Sequence, residues 1–167
     1  MGKIRLVVTG MLVAGGLAFA GPVLAQEEAA APRAWGTVHG GLMVIADYPG
    51  EPWIDLGGGS EVVWPNGVGF SMDVSILTSI EHSDLAMLAS PALIYEFPSE
   101  GKLRPYLRGG VTLYNFFIPG WFDVGGGVNY WLSERLGLKG EVRHHLLLEE
   151  PTSGLTSFRA GFVLRFK

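Results

Sequence analysis

Gly67-Val68-Gly69-Phe70-Ser71-Met72-Asp73-Val74-Ser75-Ile76 alternates without a break. Val68, Phe70, Met72, Val74 and Ile76 fall on one side of an extended chain, and Gly69, Ser71, Asp73 and Ser75 on the other. A period of two marks a strand, because a helix would scatter these residues around its axis. The stretch begins directly after Pro65-Asn66, and Pro-Asn-Gly is hairpin-turn chemistry. Working outward, the same alternation predicts eight strands, at 35–46, 53–64, 67–79, 85–97, 103–116, 121–132, 136–149 and 155–166. Breaks are expected at 47–52, 65–66, 80–84, 98–102, 117–120, 133–135 and 150–154. Segments of about ten residues suit strands that cross a bilayer at a tilt.

The polarity of the two faces decides what surrounds the sheet. In the sixth strand Phe122, Val124, Val128, Tyr130 and Leu132 oppose Trp121, Asp123, Asn129 and Trp131. In the seventh Leu136, Leu138, Val142, Leu146 and Leu148 oppose Lys139, Glu141, Arg143, His145 and Glu149. The eighth sets Phe158, Phe162, Leu164 and Phe166 against Ser157, Arg159, Gly161 and Arg165. A soluble, lipocalin-like barrel would turn the apolar face inward, leaving its charges outside. Here the charged face is rich in glycine, which suits the narrow lumen of eight strands, and the apolar face is continuous, which suits lipid. The chain is therefore expected to be all-β, an eight-stranded antiparallel up-and-down transmembrane β-barrel. An even strand number puts both chain ends on one side. Trp64, Tyr95, Phe97, Tyr130 and Phe166 lie on the apolar face near the ends of even-numbered strands, and are expected to form an aromatic girdle.

Composition excludes several alternatives. The 167 residues contain no cysteine, which removes disulfide scaffolds, thiolate metal sites, cysteine nucleophiles and lipoprotein anchors. A formal charge of -4, with no Lys/Arg block, is a poor footprint for nucleic-acid binding. Hydrophobic residues at 48% and charged ones at 17% rule out disorder, and 25 glycines argue against a helix bundle.

The N-terminus has the pattern of an export signal. Lys3 and Arg5 precede an uncharged apolar stretch that ends in Val23-Leu24-Ala25, after which Gln26-Glu27-Glu28 turns polar. Small residues at the -3 and -1 positions predict cleavage after Ala25. Residues 1–25 are thus expected to be a signal peptide, 26–34 a short periplasmic tether, and 35–167 the barrel.

Arg104-Pro105-Tyr106, Gly125-Gly126-Gly127-Val128-Asn129-Tyr130, Leu132-Ser133-Glu134-Arg135-Leu136 and the last strand together resemble the small OmpA/OmpX-type outer-membrane β-barrels. The resemblance spans about the whole mature chain. In that family the last strand is an assembly signal, and Arg159, Gly161, Leu164 and Phe166 match its spacing; Lys167 departs, since such proteins usually stop on the aromatic. The resemblance implies a location in the cell outer membrane with both termini periplasmic. It also implies outer-membrane lipid as the surroundings, and the barrel-assembly machinery and periplasmic chaperones as partners during biogenesis. The turns at 65–66, 98–102 and 133–135 would then be periplasmic and the remaining connections external. Those external connections are expected to be short, unlike the long loops of adhesins and receptors, and no peptidoglycan-binding half is expected after Phe166.

The inward face carries Arg104, Arg108, Lys139, Arg143, Arg159 and Arg165 against Asp55, Glu61, Asp73, Glu96, Asp123, Glu141 and Glu149. Charges in a narrow lumen must pair, so most are expected to be structural. Glu96 falls opposite Arg104 if Phe97 pairs with Leu103, and Asp123 opposite His145 if Leu132 pairs with Leu136. With Glu141, Arg143, Arg108 and Arg159 these are the candidate lumen ion pairs; the functional alternative is a selectivity ring. His145 beside Asp123 could belong to a hydrolytic set, but Ser157 is expected nearer the outer rim, and Leu147, not a serine, lies two residues beyond His145. His144 is a polar exception on the apolar face. His39, His82, His144 and His145 have no zinc-site spacing, and no phosphate loop or nucleophile elbow is present. No catalytic residue, cofactor or metal is expected. The function expected is a structural or envelope-maintaining outer-membrane barrel with a salt-bridged, largely plugged lumen. The alternatives are a narrow pore for ions or small solutes, and a lipid-modifying or lipid-binding barrel.

Overall fold

The alternating segments form eight antiparallel strands in the computed structural model, which describes residues 31–45, 52–79, 85–115, 118–147 and 154–166. They are β1 (Arg33–Ile45), β2 (Trp53–Val63), β3 (Val68–Ser79), β4 (Leu85–Glu96), β5 (Leu103–Tyr114), β6 (Ile118–Trp131), β7 (Leu136–Leu147) and β8 (Gly154–Arg165). Each strand pairs with its sequence neighbours and β8 closes on β1, so the sheet has no edge. The expected signal peptide and residues 26–30 of the tether lie outside the described residues, as do Glu149 and most of the expected external connections.

Strand ends differ from expectation by a few residues. β1 begins at Arg33, so Arg33 and Ala34 of the expected tether belong to the barrel. β6 begins at Ile118 rather than Trp121, and pairs with β5 across a β-bulge between Thr112 and Leu113. The extra residue at a bulge lets a ladder continue past a local irregularity.

Turn chemistry sets two of the registers. Between β2 and β3, the Gly67 N–H donates to Trp64 O at 2.9 Å, and Asn66 Oδ1 accepts from the Val68 N–H at 3.1 Å. Gly67 sits at φ +84°, a left-handed conformation that suits glycine there. Between β6 and β7, the Leu132 N–H donates to Leu136 O at 2.9 Å, and Ser133 Oγ accepts from the Leu136 N–H at 3.1 Å. That register puts Asp123 directly across from His145, as the short turn predicts.

The β4–β5 register departs from the sequence expectation. Phe97 pairs with Pro105, its N–H donating to the proline carbonyl at 2.9 Å, and Glu96 pairs with Tyr106 rather than Arg104. The connection is longer than the turn chemistry suggests. Ser99 Oγ donates to Leu103 O at 2.5 Å, so the connection engages the first carbonyl of β5, and β5 meets β4 only from Pro105 onward. A slip of two residues changes partners but keeps every side chain on its face.

The faces sort as their alternation requires. Ser71, Asp73 and Ser75 are buried, while Val68, Phe70, Met72, Val74 and Ile76 face outward. Large outward apolar side chains occur on all eight strands, from Val38 and Leu42 on β1 to Phe158, Phe162 and Leu164 on β8.

Candidate functional site

The polar interior gathers most of the charged side chains among the described residues, and it is layered along the barrel axis. At the end where β1 begins and β8 finishes, the terminal end of the barrel, Trp35, Val63, Ile94, Trp131 and Val163 form an apolar layer, with Trp35 and Trp131 edge to face at 5.9 Å. At the opposite end Met43, Leu77, Ala86, Leu88 and Leu155 form a second one, flanked by Trp53 and Trp121. Between them lies the charge. The sequence expectation of a salt-bridged lumen names the charges but not these two layers, whose residues share the charges' strand parity.

Glu141 is the hub of the charged layer. Its carboxylate accepts from Tyr106 Oη at 2.6 Å and from Arg143 Nε, with Lys139 Nζ at 3.5 Å and Arg108 and Arg159 near 4 Å. Asp73 binds Arg143 at 2.5 Å and Arg108 at 2.7 Å. Lys139 also donates to Glu61, which accepts from the Trp35 indole at 2.5 Å and so ties the ions to the first apolar layer. Arg159 pairs with Asp55 at 2.6 Å. Most of these pairs join strands that are not neighbours: β5 to β3, β7 to β3, β7 to β2 and β8 to β2. Each of the four cations Arg108, Lys139, Arg143 and Arg159 thus reaches at least one carboxylate, as buried charge demands. Glycine makes the room: a Cβ on Gly127 would stand 2.6 Å from Tyr106 Oη and 2.3 Å from Gly140 O.

Glu96 and Arg104 do meet, but only at 3.9 Å; the nearer partner of Glu96 is Arg33 on β1, at 2.8 Å. Asp123 faces His145 across the ladder, yet Thr112 stands between them, donating to Asp123 at 3.2 Å and lying 3.4 Å from His145 Nδ1. Arg108 Nε lies 3.2 Å from Asp123. Ser157 is not nearer the rim: its Oγ is 3.3 Å from His145 Nε2. The ladder explains the proximity, since β7 and β8 pair Arg143 with Ser157 and set the next inward residue of β7 beside it. A serine, a histidine, a threonine and an aspartate are thus in line, and all four are wholly buried. The void beside His39, Lys139, Glu141 and Arg159 is about 10 Å³, room for one water at most.

On the outer face Trp64, Tyr95, Phe97, Tyr130 and Phe166 are all exposed at the terminal end of the barrel, and Tyr95 and Phe97 meet edge to face at 5.2 Å. Of the proposed assembly-signal residues, Arg159 and Gly161 face inward, and Leu164 and Phe166 outward. His144 Nδ1 lies 3.1 Å from Thr156 Oγ1, so the polar exception on this face has a local partner. No group of three or more His, Asp or Glu that could hold a metal occurs among the described residues.

The two faces together define a class: a closed β-barrel with an apolar outside and a charged, side-chain-filled inside. Solved structures share that fold. The chain is similar to Neisserial surface protein A, with a TM-score of 0.63 and 12% identity over 81% of this chain and 97% of that one. It is similar to the N-terminal β-barrel domain of Pseudomonas aeruginosa OprF, with a TM-score of 0.59 and 16% identity over 80% and 97% of the two chains. A de novo designed transmembrane β-barrel matches with a TM-score of 0.59 and 14% identity over 80% and 95%. No family model matches the chain, and no curated protein sequence matches it. At these identities the likeness is one of fold.

Proposed function

We propose that this chain is an integral outer-membrane barrel whose role is structural, maintaining the envelope, and whose lumen is plugged. The observation that carries this reading is the lumen itself: two apolar layers of buried side chains flank a buried ion-pair network. Eight-stranded barrels are narrow enough for side chains to fill. The outward apolar belt supports a bilayer around it, because water would face far more contiguous apolar surface than soluble monomers tolerate. In this reading residues 1–25 direct export, the termini and tight turns face the periplasm, and Arg159, Gly161, Leu164 and Phe166 engage the assembly machinery. No catalytic role is assigned to His145 or Ser157.

Fractionation and gel mobility test the membrane placement. Expressed in a Gram-negative host, the chain should sediment with outer membranes, require detergent for extraction, and migrate differently unboiled than boiled. Recovery in the soluble fraction without detergent would overturn the proposal.

A further inference from the structure

The mouth at the terminal end differs from the interior in its charge balance. An open cleft of about 430 Å³ lies there between the β4–β5 and β6–β7 turns, lined by Lys102, Arg104, Trp131, Leu132, Glu134 and Arg165 among others. Three cations thus share it with a single carboxylate. Deeper in the lumen every cation touches a carboxylate, but here the positive charge is in surplus. Among the described residues Arg104 has only Glu96 at 3.9 Å, and that carboxylate is already held by Arg33 at 2.8 Å. No carboxylate lies within 4 Å of the side chains of Lys102 or Arg165 among the described residues.

The donors are also arranged. The Arg165 guanidinium lies over the Trp131 ring at 4.1 Å, which fixes its plane and leaves its N–H edges free. Arg165 Nε and Trp131 Nε1 are both buried without a hydrogen-bond partner among the described residues. An indole N–H is seldom left so when buried. Two guanidiniums and one ammonium around one open volume, with the buried indole donor of Trp131 uncommitted behind them, match an anion with several acceptor oxygens. Arginine and lysine are the side chains that serve phosphate.

We propose that this cleft binds a phosphate group. Leu132 lines the cleft and also faces outward, so the site opens both to the mouth and to the apolar side of the rim. The phosphate can therefore come from the headgroup of an anionic phospholipid at the rim or from a free phosphate in solution. The site does not depend on the plugged-lumen reading, since its cations Lys102, Arg104 and Arg165 are not part of the apolar layer and only Trp131 is shared with it.

Titration calorimetry of the full chain, refolded in octyl glucoside, tests this with inorganic phosphate and with short-chain phosphatidylglycerol as separate titrants. A saturable heat with either supports the site. Saturation with the lipid alone assigns the phosphate to a headgroup, and comparable saturation with both assigns it to phosphate from either source. Losing one charged donor should weaken binding about tenfold in Lys102→Gln and in Arg104→Gln. Glu134→Gln should tighten it by removing the competing carboxylate. Arg135→Gln removes an exposed cation of the same turn that does not line the cleft, and should leave affinity unchanged. Each variant is first shown to be folded by its gel mobility. No saturable heat with either titrant, or equal weakening by Arg135→Gln, would overturn the proposal in favour of no site or of diffuse charge attraction.

Discussion

Glu141→Gln is the substitution that asks most of the ion network. It keeps the size of the side chain but removes its charge, and replaces one acceptor oxygen with an amide that donates toward Arg143 and Lys139. Breaking a buried ion pair by removing one partner costs roughly 3–5 kcal/mol. The geometry places this case at the lower end. Lys139 keeps Glu61, Arg159 keeps Asp55, Arg108 keeps Asp73 and Asp123, and Arg143 keeps Asp73. We expect a loss of about 3 kcal/mol, measured by equilibrium urea unfolding in vesicles with tryptophan fluorescence. Asp73→Asn should cost a similar amount, because Arg143 then keeps Glu141 and Arg108 keeps Asp123. The double variant leaves Arg143 with no carboxylate, so its cost should exceed the sum of the two by about 1–3 kcal/mol. A Glu141→Gln protein within about 1 kcal/mol of the parent, or strict additivity in the double variant, would refute the network as drawn.

Other substitutions probe the remaining parts. Gly127→Ala should abolish the folded, fast-migrating gel species, because its Cβ meets Tyr106 Oη and Gly140 O, whereas Gly140→Ala should fold normally, since a Cβ there meets nothing within 4 Å. Trp35→Ala should lower stability by about 3–5 kcal/mol through the cavity it leaves and the acceptor it strands on Glu61, as read by the same urea unfolding. Phe162→Arg places a charge on the outward face and should cost about 2–4 kcal/mol in a bilayer. A protein with water outside would show no such loss, so unfolding in vesicles separates the two cases.

Much of this structure is written in local pattern. Strand parity places Asp73 inside and Phe70 outside, and the compact Ser133–Arg135 turn fixes the pairing of Asp123 with His145. The β4–β5 pairing is less legible, because Ser99 captures the Leu103 carbonyl and lengthens the connection, a local side-chain choice with no sequence period. Parity survived that slip, so Glu96 still points inward, but its main partner became Arg33 from the far side of the mouth. Pairs such as Lys139 with Glu61 or Arg159 with Asp55 depend on how the closed barrel staggers its strands, and no hairpin encodes that. The apolar layers were hidden for a different reason. Trp35, Val63 and Val163 share parity with the charges, and counting charges on that face passes over the apolar residues at its ends. The nearness of Ser157 to His145 likewise follows from the β7–β8 register rather than from any motif.

Planar-bilayer conductance of the refolded chain tests the central proposal most directly, with folding verified by gel mobility in the same preparation. A filled lumen closed by Trp35 and Trp131 at one end and by Met43, Leu77 and Leu88 at the other predicts a silent bilayer, including for Glu96→Gln and Arg104→Gln. Reproducible conductance steps that change size with those two substitutions would contradict it, and would make the inward charges the lining of a pore.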